Sequence, residues 1–467
     1  MLAALALIAI VVQNQTPLRA APRESAPQQT VLWQGDALEV RGERLGYLQV
    51  YDHRRERAGY VRAWQVRTYT LDPSSAPELL AVVRFLRDTP GAEALGIGYV
   101  ALFLKAAPAE AIGPEVFDTL GTLADRLASR ASARQSGPGD RALAAHLEVA
   151  ASYGVLFYSF EQEGQIQICY NGDAFRRVLA LSSTDEQHAR AALALTRPEC
   201  VNQALGPVER QELDTWRVEV LDRVDLTRLP GFLANRIRLR RAGVWASLAF
   251  QRARRGEPAQ EAGTQAIQEL AGVDKAELSE DDTLAYTEAA VRVGASRWAA
   301  EAPAAPAAGL SIRTVPGQPG ETCMKLMDAK HDAQKPLLER CTYGLVWGAS
   351  ARASPRGNAL ALAVQPLDTW RELWVFRQTD AGWTVDMLTP TTTSPALGYL
   401  EFAGWAPDGS RVLAAREARV DGRFKRSFEI IRLDTLEVEK QAGSPNALTP
   451  FHRWQDPDWK RQTLALR

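Results

Sequence analysis

The stretch from residue 31 to residue 66 constrains the fold of this 467-residue chain more than any other. Its sequence, VLWQGDALEVRGERLGYLQVYDHRRERAGYVRAWQV, alternates apolar with polar residues, which is typical of strands that bury one face. The dipeptides Gly35-Asp36 and Leu45-Gly46 interrupt the alternation and are turn signals. We therefore expect short antiparallel strands that are joined by tight turns.

These strands resemble the bacterial Src-homology-3-like (SH3b) barrel. The resemblance is carried by Gly35-Asp36, by the strand pair from Val40 to Val50 across Gly46-Tyr47, and by Gly59-Tyr60-Val61 with Val66 at the close. Leu18-Arg19, ahead of a loop at 22–27, is assigned to the first strand. Residues 16–71 are thus expected to form a small all-β barrel. The resemblance implies a binding module and not a reaction.

Aromatic and basic side chains are concentrated in the same stretch. Tyr, Trp and Arg are favoured as binding anchors at interfaces. We therefore predict a ligand-binding surface that consists of Tyr47, Tyr51, His53, Arg54, Arg55, Arg57, Tyr60 and Trp64. The alternative is that half of the aromatic rings fill the barrel and that the arginine run is a solvated loop.

The N-terminal run at 2–12, LAALALIAIVV, is continuously apolar. It is too short to cross a bilayer but fits the hydrophobic region of a secretory signal peptide, so residues 1–15 are predicted to be signal-peptide-like. The lack of a basic residue after Met1 and of a clear Ala-x-Ala cleavage site does not fit a signal peptide well. The alternative is a buried N-terminal strand.

The chain has four cysteines, Cys169, Cys200, Cys323 and Cys341, and no two form a C-x-x-C pair. This spacing argues against a structural zinc site or a thioredoxin-like site. An even number of cysteines behind an export signal suggests disulfides, which we expect to join Cys169 to Cys200 and Cys323 to Cys341, each within one predicted domain. Buried free thiols are the alternative. Together with the apolar N-terminal run, the cysteines predict a periplasmic or secreted protein.

Residues 76–298 place apolar side chains at helical spacing in successive segments, which predicts an α-helical domain. One segment, 141–160, is expected to be a single long helix. Trp245, Leu248 and Ala249, followed by Gly256, Ala262 and Ala266, resemble the order of aromatic, Leu and small residues in tetratricopeptide repeats. A plain helical bundle is the alternative, because the segments do not follow a regular repeat length. A Pro/Ala linker is predicted at 299–308.

Arginines also surround Trp245 in this helical region. They are Arg236, Arg238, Arg240, Arg241, Arg252, Arg254 and Arg255. A basic helix of this kind suits an acidic partner or an anionic lipid. The alternative is a solvated helix face.

From residue 309 the pattern changes to strands and contains a repeat. Segment 353–362 is similar to segment 405–414, and segment 454–465 is a weaker third copy. The stretch Trp405-Ala-Pro-Asp-Gly409 resembles the Pro-Asp-Gly turn of Tol-type periplasmic β-propellers, and each repeat is near blade length. We therefore predict that 309–467 is an antiparallel β domain with propeller-like blades. A partial propeller or two small sheets fits this length as well as a closed ring does.

The sequence contains no pattern that indicates catalysis. Gly96-Ile-Gly98-Tyr-Val-Ala101 matches a dinucleotide-binding motif in its letters, but it lies in a helical pattern, where small residues allow close packing. The five histidines are too far apart in sequence for an H-x-x-x-H metal pair, and His146 is expected to be a packed, hydrogen-bonded residue. No G-x-S-x-G elbow and no P-loop occur. We predict neither a cofactor nor a metal.

The whole chain is thus expected to be a multidomain protein with a barrel, a helical middle and a β-rich end. A net charge of −1 argues against a nucleic-acid partner, and the sequence predicts no integral membrane span. The leading interpretation is a non-catalytic exported adaptor or binding protein of the cell envelope, which recognises cell-wall material or a protein partner. The alternative is a cell-wall hydrolase or another enzyme with an unrecognised active site.

Overall fold

The chain divides into two compact units, Met1–Leu205 and Gly206–Arg467. The computed structural model describes residues 7–133, 140–162, 164–302, 309–391, 397–420 and 422–466. An antiparallel sheet opens the chain, helices occupy its middle, and a second large sheet lies toward its end. The multidomain class predicted from the sequence is therefore confirmed. The helical region differs from the prediction because its helices are divided between the two units.

The N-terminal sheet has seven antiparallel strands in the order β3-β2-β6-β5-β4-β1-β7. Their bounds are Leu7–Val11 (β1), Thr16–Arg19 (β2), Gln28–Leu32 (β3), Ala37–Arg44 (β4), Tyr47–Asp52 (β5), Arg57–Arg62 (β6) and Val66–Thr70 (β7). Among the described strands, no pairing joins the edge strands β3 and β7, so the sheet is not closed. Its core face packs Leu18, Leu38, Val50 and Val61 together. The pattern of alternation predicted this face, whereas the SH3b resemblance stays a prediction.

Part of the apolar N-terminal run forms strand β1. Leu7–Val11 lies between β4 and β7, and Ala9, Ile10 and Val11 are fully buried. These residues are therefore part of the core of the sheet in this structure, whereas the signal-peptide-like segment at 1–15 stays a prediction. The alternative of a buried strand is correct for 7–11, while residues 1–6 lie outside the described part of the chain. Apolar residues at every position suit a strand that is covered on both faces.

In the described residues of the first unit, six α-helices and a hairpin follow the sheet. The helices are Ala76–Arg87 (α1), Glu93–Ala106 (α2), Pro114–Ala133 (α3), Asp140–Ser152 (α4), Asp173–Ala180 (α5) and Asp185–Leu195 (α6). The hairpin consists of Phe157–Gln162 (β8) and Gln165–Tyr170 (β9). The long helix predicted at 141–160 is wrong in its second half. The reason is Gly154, whose φ of 82° ends the helix before an alternating stretch that favours a strand.

Two glycines of α2 allow close packing, as the sequence predicted. A Cβ at Gly96 would lie 2.7 Å from Leu123 Cδ1 of α3. A Cβ at Gly98 would lie 2.8 Å from Ile10 Cδ1 and 3.0 Å from the carbonyl oxygen of Gly35. The resemblance to a dinucleotide-binding motif therefore has a packing explanation.

The second unit begins with four helices. They are Pro207–Asp222 (α7), Gly231–Arg254 (α8), Gln260–Ala271 (α9) and Glu280–Ser296 (α10), followed by a 3₁₀ turn at Arg297–Ala300. Trp298 and Ala299 of this turn are buried against Ala249 and Trp347. The predicted linker therefore begins after this turn, and residues 303–308 lie outside the described part of the chain.

The β-rich region contains a three-stranded and an eight-stranded sheet. The first consists of Ser311–Pro316 (β10), Thr322–Met327 (β11) and Leu338–Thr342 (β12). The second consists of Leu345–Ala353 (β13), Ala359–Leu367 (β14), Trp370–Thr379 (β15), Gly382–Leu388 (β16), Gly398–Trp405 (β17), Arg411–Val420 (β18), Arg423–Arg432 (β19) and Val438–Ala442 (β20). Strands β13–β16 and β17–β20 are two four-stranded antiparallel units, as in propeller blades. A short parallel pairing of β15 with β17 joins them, so the sheet is mixed and not purely antiparallel.

The first two copies of the sequence repeat form equivalent turns. Gly357 N–H donates to the carbonyl oxygen of Ser354, and Gly409 N–H donates to that of Ala406. Both glycines have a positive φ, 68° and 64°. The two turns are neighbours, because a Cβ at Gly409 would lie 3.2 Å from Arg356 Cγ. The repeat therefore marks the same corner of two adjacent four-stranded units.

The third copy of the repeat is not a strand unit, and this part of the prediction is wrong. Its first residue ends the helix Thr449–Trp454 (α11), and its residues from 457 onward lie in the helix Pro457–Leu466 (α12). Pro457 stands at a helix N-terminus, where proline is favoured, and Asp456 accepts from the backbone N–H of Asp458 and Trp459. Trp405 is buried and donates to the carbonyl oxygen of Arg352, whereas Trp454 ends a helix. The side chain of Leu464 lies outside the described part of the chain.

Both predicted disulfides are present. Cys169 of β9 is bonded to Cys200, and Cys323 of β11 is bonded to Cys341 of β12. Stable disulfides are typical of proteins that fold outside the reducing cytoplasm, which indicates an extracytoplasmic location. Of the helices in the described ranges, none combines the length and apolarity that a membrane crossing requires.

Candidate functional site

The outer face of the N-terminal sheet is the surface of β5 and β6 that faces away from the core. Strand alternation places Tyr47 and Tyr51 of β5 on this face, because Leu48 and Val50 point into the core. Tyr60 of β6 pairs with Gln49 and lies on the same face. Three of the predicted aromatic anchors are thus brought together on two neighbouring strands.

Arg41 and His53 contact the ring of Tyr51 on the outer face. The guanidinium carbon of Arg41 lies 4.1 Å from the centre of the Tyr51 ring, and His53 meets the same ring edge-on at 4.9 Å. His53 Nε2 lies 2.6 Å from Glu39 Oε2, and Arg41 Nε donates to Glu39 Oε1 at 3.1 Å. Hydrogen bonds from Arg41 and His53 lower the pKa of Glu39. Glu39 and Arg41 are not among the predicted binding residues, although their alternate positions on β4 are a signal of this face.

Tyr47 lies on the outer face but is not accessible. Only 4% of it is exposed, and its buried hydroxyl has no hydrogen-bond partner among the described residues. The Arg62 guanidinium lies 5.1 Å from the ring centre and forms an ion pair with Glu24 at 2.8 Å. Arg62 therefore covers the ring, and Tyr47 is not available to a ligand in this conformation.

Arg54 and Arg55 are held in ion pairs and are not free for a ligand. Arg55 Nη1 donates to Asp52 at 2.7 Å, and Arg55 Nη2 donates to Asp36 at 3.1 Å. Arg54 pairs with Asp36 at 3.4 Å and with Glu148 at 3.1 Å. Asp36 and Asp52 are buried, and a buried carboxylate requires a paired charge. We conclude that both arginines hold the β5–β6 loop in place.

Trp64 is the most exposed aromatic residue of the predicted surface. It lies in the 3₁₀ turn Ala63–Gln65, and 57% of the residue is exposed. Leu45, which is 77% exposed, lies in the adjacent β4–β5 turn, since Ala63 N–H donates to the carbonyl oxygen of Gly46 at 3.1 Å. Arg57 is also exposed and donates to the carbonyl oxygen of Gln29 at 2.8 Å. Exposed rings of this size are favoured as interface anchors.

The arginines around Trp245 form ion pairs within the second unit. Arg236 bonds Asp282 at 2.7 Å, Arg238 lies 3.4 Å from Glu269, and Arg255 lies 3.0 Å from Glu257. Arg241 is buried and donates to the carbonyl oxygens of Leu221 and Val224. The basic face predicted from the sequence is therefore largely used for packing α8 against its neighbours.

His146 is buried in α4, as expected for a packed histidine. Its Nε2 lies 2.8 Å from Asn14 Oδ1, and burial lowers its pKa. Near Cys323 and Cys341, the side chain of Glu321 completes a group of three possible metal-ligand atoms within 4.8 Å. The two sulfur atoms are joined in a disulfide and offer no thiolate, so this group is not a candidate metal site.

Comparison with known proteins gives no information on the function. No protein-family model, no curated protein and no solved structure matches this chain. Of the predicted binding residues, Tyr47 is buried and the other seven retain contact with solvent, although Arg54 and Arg55 are held in ion pairs.

Proposed function

We propose that this chain is a non-catalytic adaptor of the cell envelope, periplasmic or secreted, which binds cell-wall material or a protein partner through the outer face of its N-terminal sheet. The observation that carries the proposal is the exposure of Trp64 beside Leu45, on the sheet whose outer face bears Tyr51 and Tyr60. The two disulfides support the extracytoplasmic part of the proposal.

The chemistry of the outer face favours binding over catalysis. Arg41 and His53 already pack against Tyr51 and share Glu39, so these two side chains hold the ring in one orientation. An orientation that is set before binding reduces the entropy that association costs. Aromatic rings with neighbouring guanidinium groups are typical of binding surfaces, where a few such residues contribute most of the affinity.

The experiment that tests this function is sedimentation of the purified full chain with intact cell walls. We expect the wild-type chain to sediment with the walls, and the double variant Tyr51→Ala/Trp64→Ala to lose at least tenfold in affinity. Phe85→Ala is the matched control, because Phe85 is 71% exposed on α1 and is not part of the outer face. It is expected to sediment like the wild type.

Other results would contradict the proposal. Loss of turbidity of the wall suspension on addition of the wild-type chain would indicate a cell-wall hydrolase. Equal sedimentation of the wild type and the double variant would exclude the outer face as the binding surface. If walls do not bind, crosslinking in cells from position 64 tests for a protein partner, and the absence of any product specific to that position would end the proposal.

A further inference from the structure

The β8–β9 hairpin of the first unit presents a second aromatic surface. Its register pairs Tyr158 with Cys169, Phe160 with Gln167 and Gln162 with Gln165. Because strand alternation places these six residues on one side, they form what we call the hairpin face. The other side of the hairpin turns Tyr170 and Phe157 toward the core of the unit.

The two rings of the hairpin face are nearly parallel and accessible. The centres of Tyr158 and Phe160 are 6.3 Å apart, and their planes differ by 21°. Tyr158 is 44% exposed, and Phe160 is partly exposed. Rings two positions apart on one strand thus present a continuous apolar surface rather than two separate side chains.

The hairpin face is held rigidly at one end. The Tyr158 hydroxyl donates to the carbonyl oxygen of Cys200 at 3.1 Å. Cys200 is in turn bonded to Cys169, which lies opposite Tyr158 in the hairpin. A disulfide and a hydrogen bond therefore orient the same ring, and a surface that is ordered in advance loses little entropy when a ligand binds.

The polar groups of the hairpin face are neutral. Gln162, Gln165 and Gln167 supply amides that both donate and accept hydrogen bonds, and none of the six residues carries a charge. Arg197, in the segment that leads to Cys200, is engaged by Asp125 at 2.8 Å. A charged ligand would gain no ion pair from the face itself, whereas a ligand with many hydroxyl or amide groups would find suitable partners.

We propose that the hairpin face binds a neutral oligosaccharide. The C–H groups of a sugar ring are attracted to the electron-rich face of an aromatic ring, and Tyr158 and Phe160 offer two such faces side by side. The amides of Gln165 and Gln167 bond the hydroxyl and acetamido groups of the sugar. From residue 158 to residue 162 the strand extends about 13 Å, which suits an oligosaccharide better than a single sugar. This inference goes beyond the proposed function because it concerns another surface with a ligand of its own.

The test is calorimetric titration of the full chain with a β-1,4-linked tetramer of N-acetylglucosamine. We expect the wild type to bind, Phe160→Ala to lose at least tenfold in affinity, and Phe160→Trp to retain binding because it keeps an aromatic face. Phe85→Ala, an exposed ring outside the hairpin, is the matched control and is expected to bind like the wild type. The thermal unfolding midpoint of each variant shows whether its fold is intact.

Several outcomes would overturn the inference. The first is that the wild type does not bind at millimolar concentrations of the tetramer. The second is that Phe160→Ala binds with the affinity of the wild type, and the third is that Phe85→Ala loses as much affinity as Phe160→Ala. If Phe160→Ala does not fold, Gln167→Ala takes its place, and unchanged binding in that variant has the same meaning. Sedimentation velocity tests for self-association through the hairpin face. If the wild type is a dimer that the hairpin variants disrupt, and if it binds no tetramer, a second copy of the chain occupies the face and the inference is wrong. The wall-sedimentation assay uses other variants, so failure of one proposal is distinguishable from failure of the other.

Discussion

Arg371 and Glu401 form an ion pair that is shielded from water in the second unit. Arg371 Nη2 donates to Glu401 Oε2 at 2.7 Å, and the two side chains are 0% and 7% exposed. Glu401 also accepts from Arg297 Nε at 3.1 Å and from Trp459 Nε1 at 2.7 Å. Arg371 Nη1 donates to the carbonyl oxygen of Gly294 in α10. The pair therefore connects the eight-stranded sheet with α10, the 3₁₀ turn after it, and α12.

Replacement of Glu401 by Gln is expected to destabilise the second unit strongly. Burial opposes ionisation of Glu401, but Arg297 and Arg371 hold its pKa below the ordinary value. The Gln variant keeps the shape and leaves two buried guanidinium groups without a counter-charge, which costs about 3–5 kcal/mol of the free energy of unfolding. Urea unfolding followed by tryptophan fluorescence reports on this unit, because only Trp33 and Trp64 lie in the other.

The exposed Glu437 provides the control for that experiment. Glu437→Gln is expected to change the free energy of unfolding by less than about 0.5 kcal/mol. Similar unfolding midpoints for Glu401→Gln and the wild type would show that the buried pair does not stabilise this unit.

Short-range patterns in the sequence predicted much of the architecture. The alternation around the β4–β5 turn led to the pairing of Val40 with Val50, which the structure contains. The helical spacing at 233–254 lies within α8, Gly231–Arg254. These elements depend on neighbours that are close in sequence, so that periodicity and turn residues suffice to identify them.

Long-range relationships were not predictable in the same way. Whether Ile10 belongs to a signal peptide or to a core depends on β4 and β7, which are remote in sequence. The basic run at Arg54 and Arg55 reads as a solvated loop or a ligand site until Asp36 is known to lie beneath it. The third repeat became helical because Asp456 and Pro457 favour a helix start, whereas the first two copies have Gly357 and Gly409 in their turns.

Replacement of Arg55 by Gln is expected to destabilise the first unit. The variant removes the hydrogen bonds to Asp36 and Asp52, whose carboxylates are buried, and we expect a loss of about 2–3 kcal/mol. Hydrogen–deuterium exchange of peptides from 36–62 measures the loss locally. Arg57→Gln is the control, since Arg57 is exposed and bonds only a backbone carbonyl oxygen in the described contacts. Unchanged exchange in Arg55→Gln would favour a role in ligand binding instead.

Loss of the Cys169–Cys200 disulfide is expected to weaken the first unit. The bond closes a loop with a sequence separation of 31, and the entropy of such a loop in the unfolded chain corresponds to about 3–4 kcal/mol. Thermal unfolding of Cys169→Ala/Cys200→Ala, with exchange measured for peptides of both units, tests this value. Cys323→Ala/Cys341→Ala is the comparison, because it should affect only peptides of the second unit. A first unit that is equally stable without its disulfide would contradict the prediction.

Glu417 is expected to make the second unit less stable as the pH rises. Burial raises its pKa to about 7, Arg426 opposes the shift, and Glu401 adds to it. The folded state therefore keeps a proton that the unfolded state loses, so the stabilisation is complete below about pH 4.5 and is lost as the pH rises through 7. Glu417→Gln should remove this dependence. Between pH 4.5 and pH 8, the difference in free energy of unfolding between Glu417→Gln and the wild type should shift by up to about 3 kcal/mol in favour of the variant. A difference that stays constant over this range would contradict the assignment.

His146 is expected to act in the opposite direction, as a group that weakens the first unit in acid. Burial lowers its pKa and Arg130 lowers it further, while Glu93 and Asp36 oppose this. The unfolded chain takes up a proton near pH 6.5 that the folded chain does not, so stability is complete above that pH and falls as the pH decreases toward the folded-state pKa.

The variant His146→Gln tests this assignment, because Gln can still donate to Asn14 Oδ1 but does not titrate in this range. Exchange of first-unit peptides, corrected for the intrinsic effect of pH, should accelerate between pH 7 and pH 5 in the wild type and much less in the variant. His452→Gln is the control, since His452 is exposed in the second unit. If the wild type and His146→Gln show the same pH dependence, other groups are responsible for the loss of stability in acid.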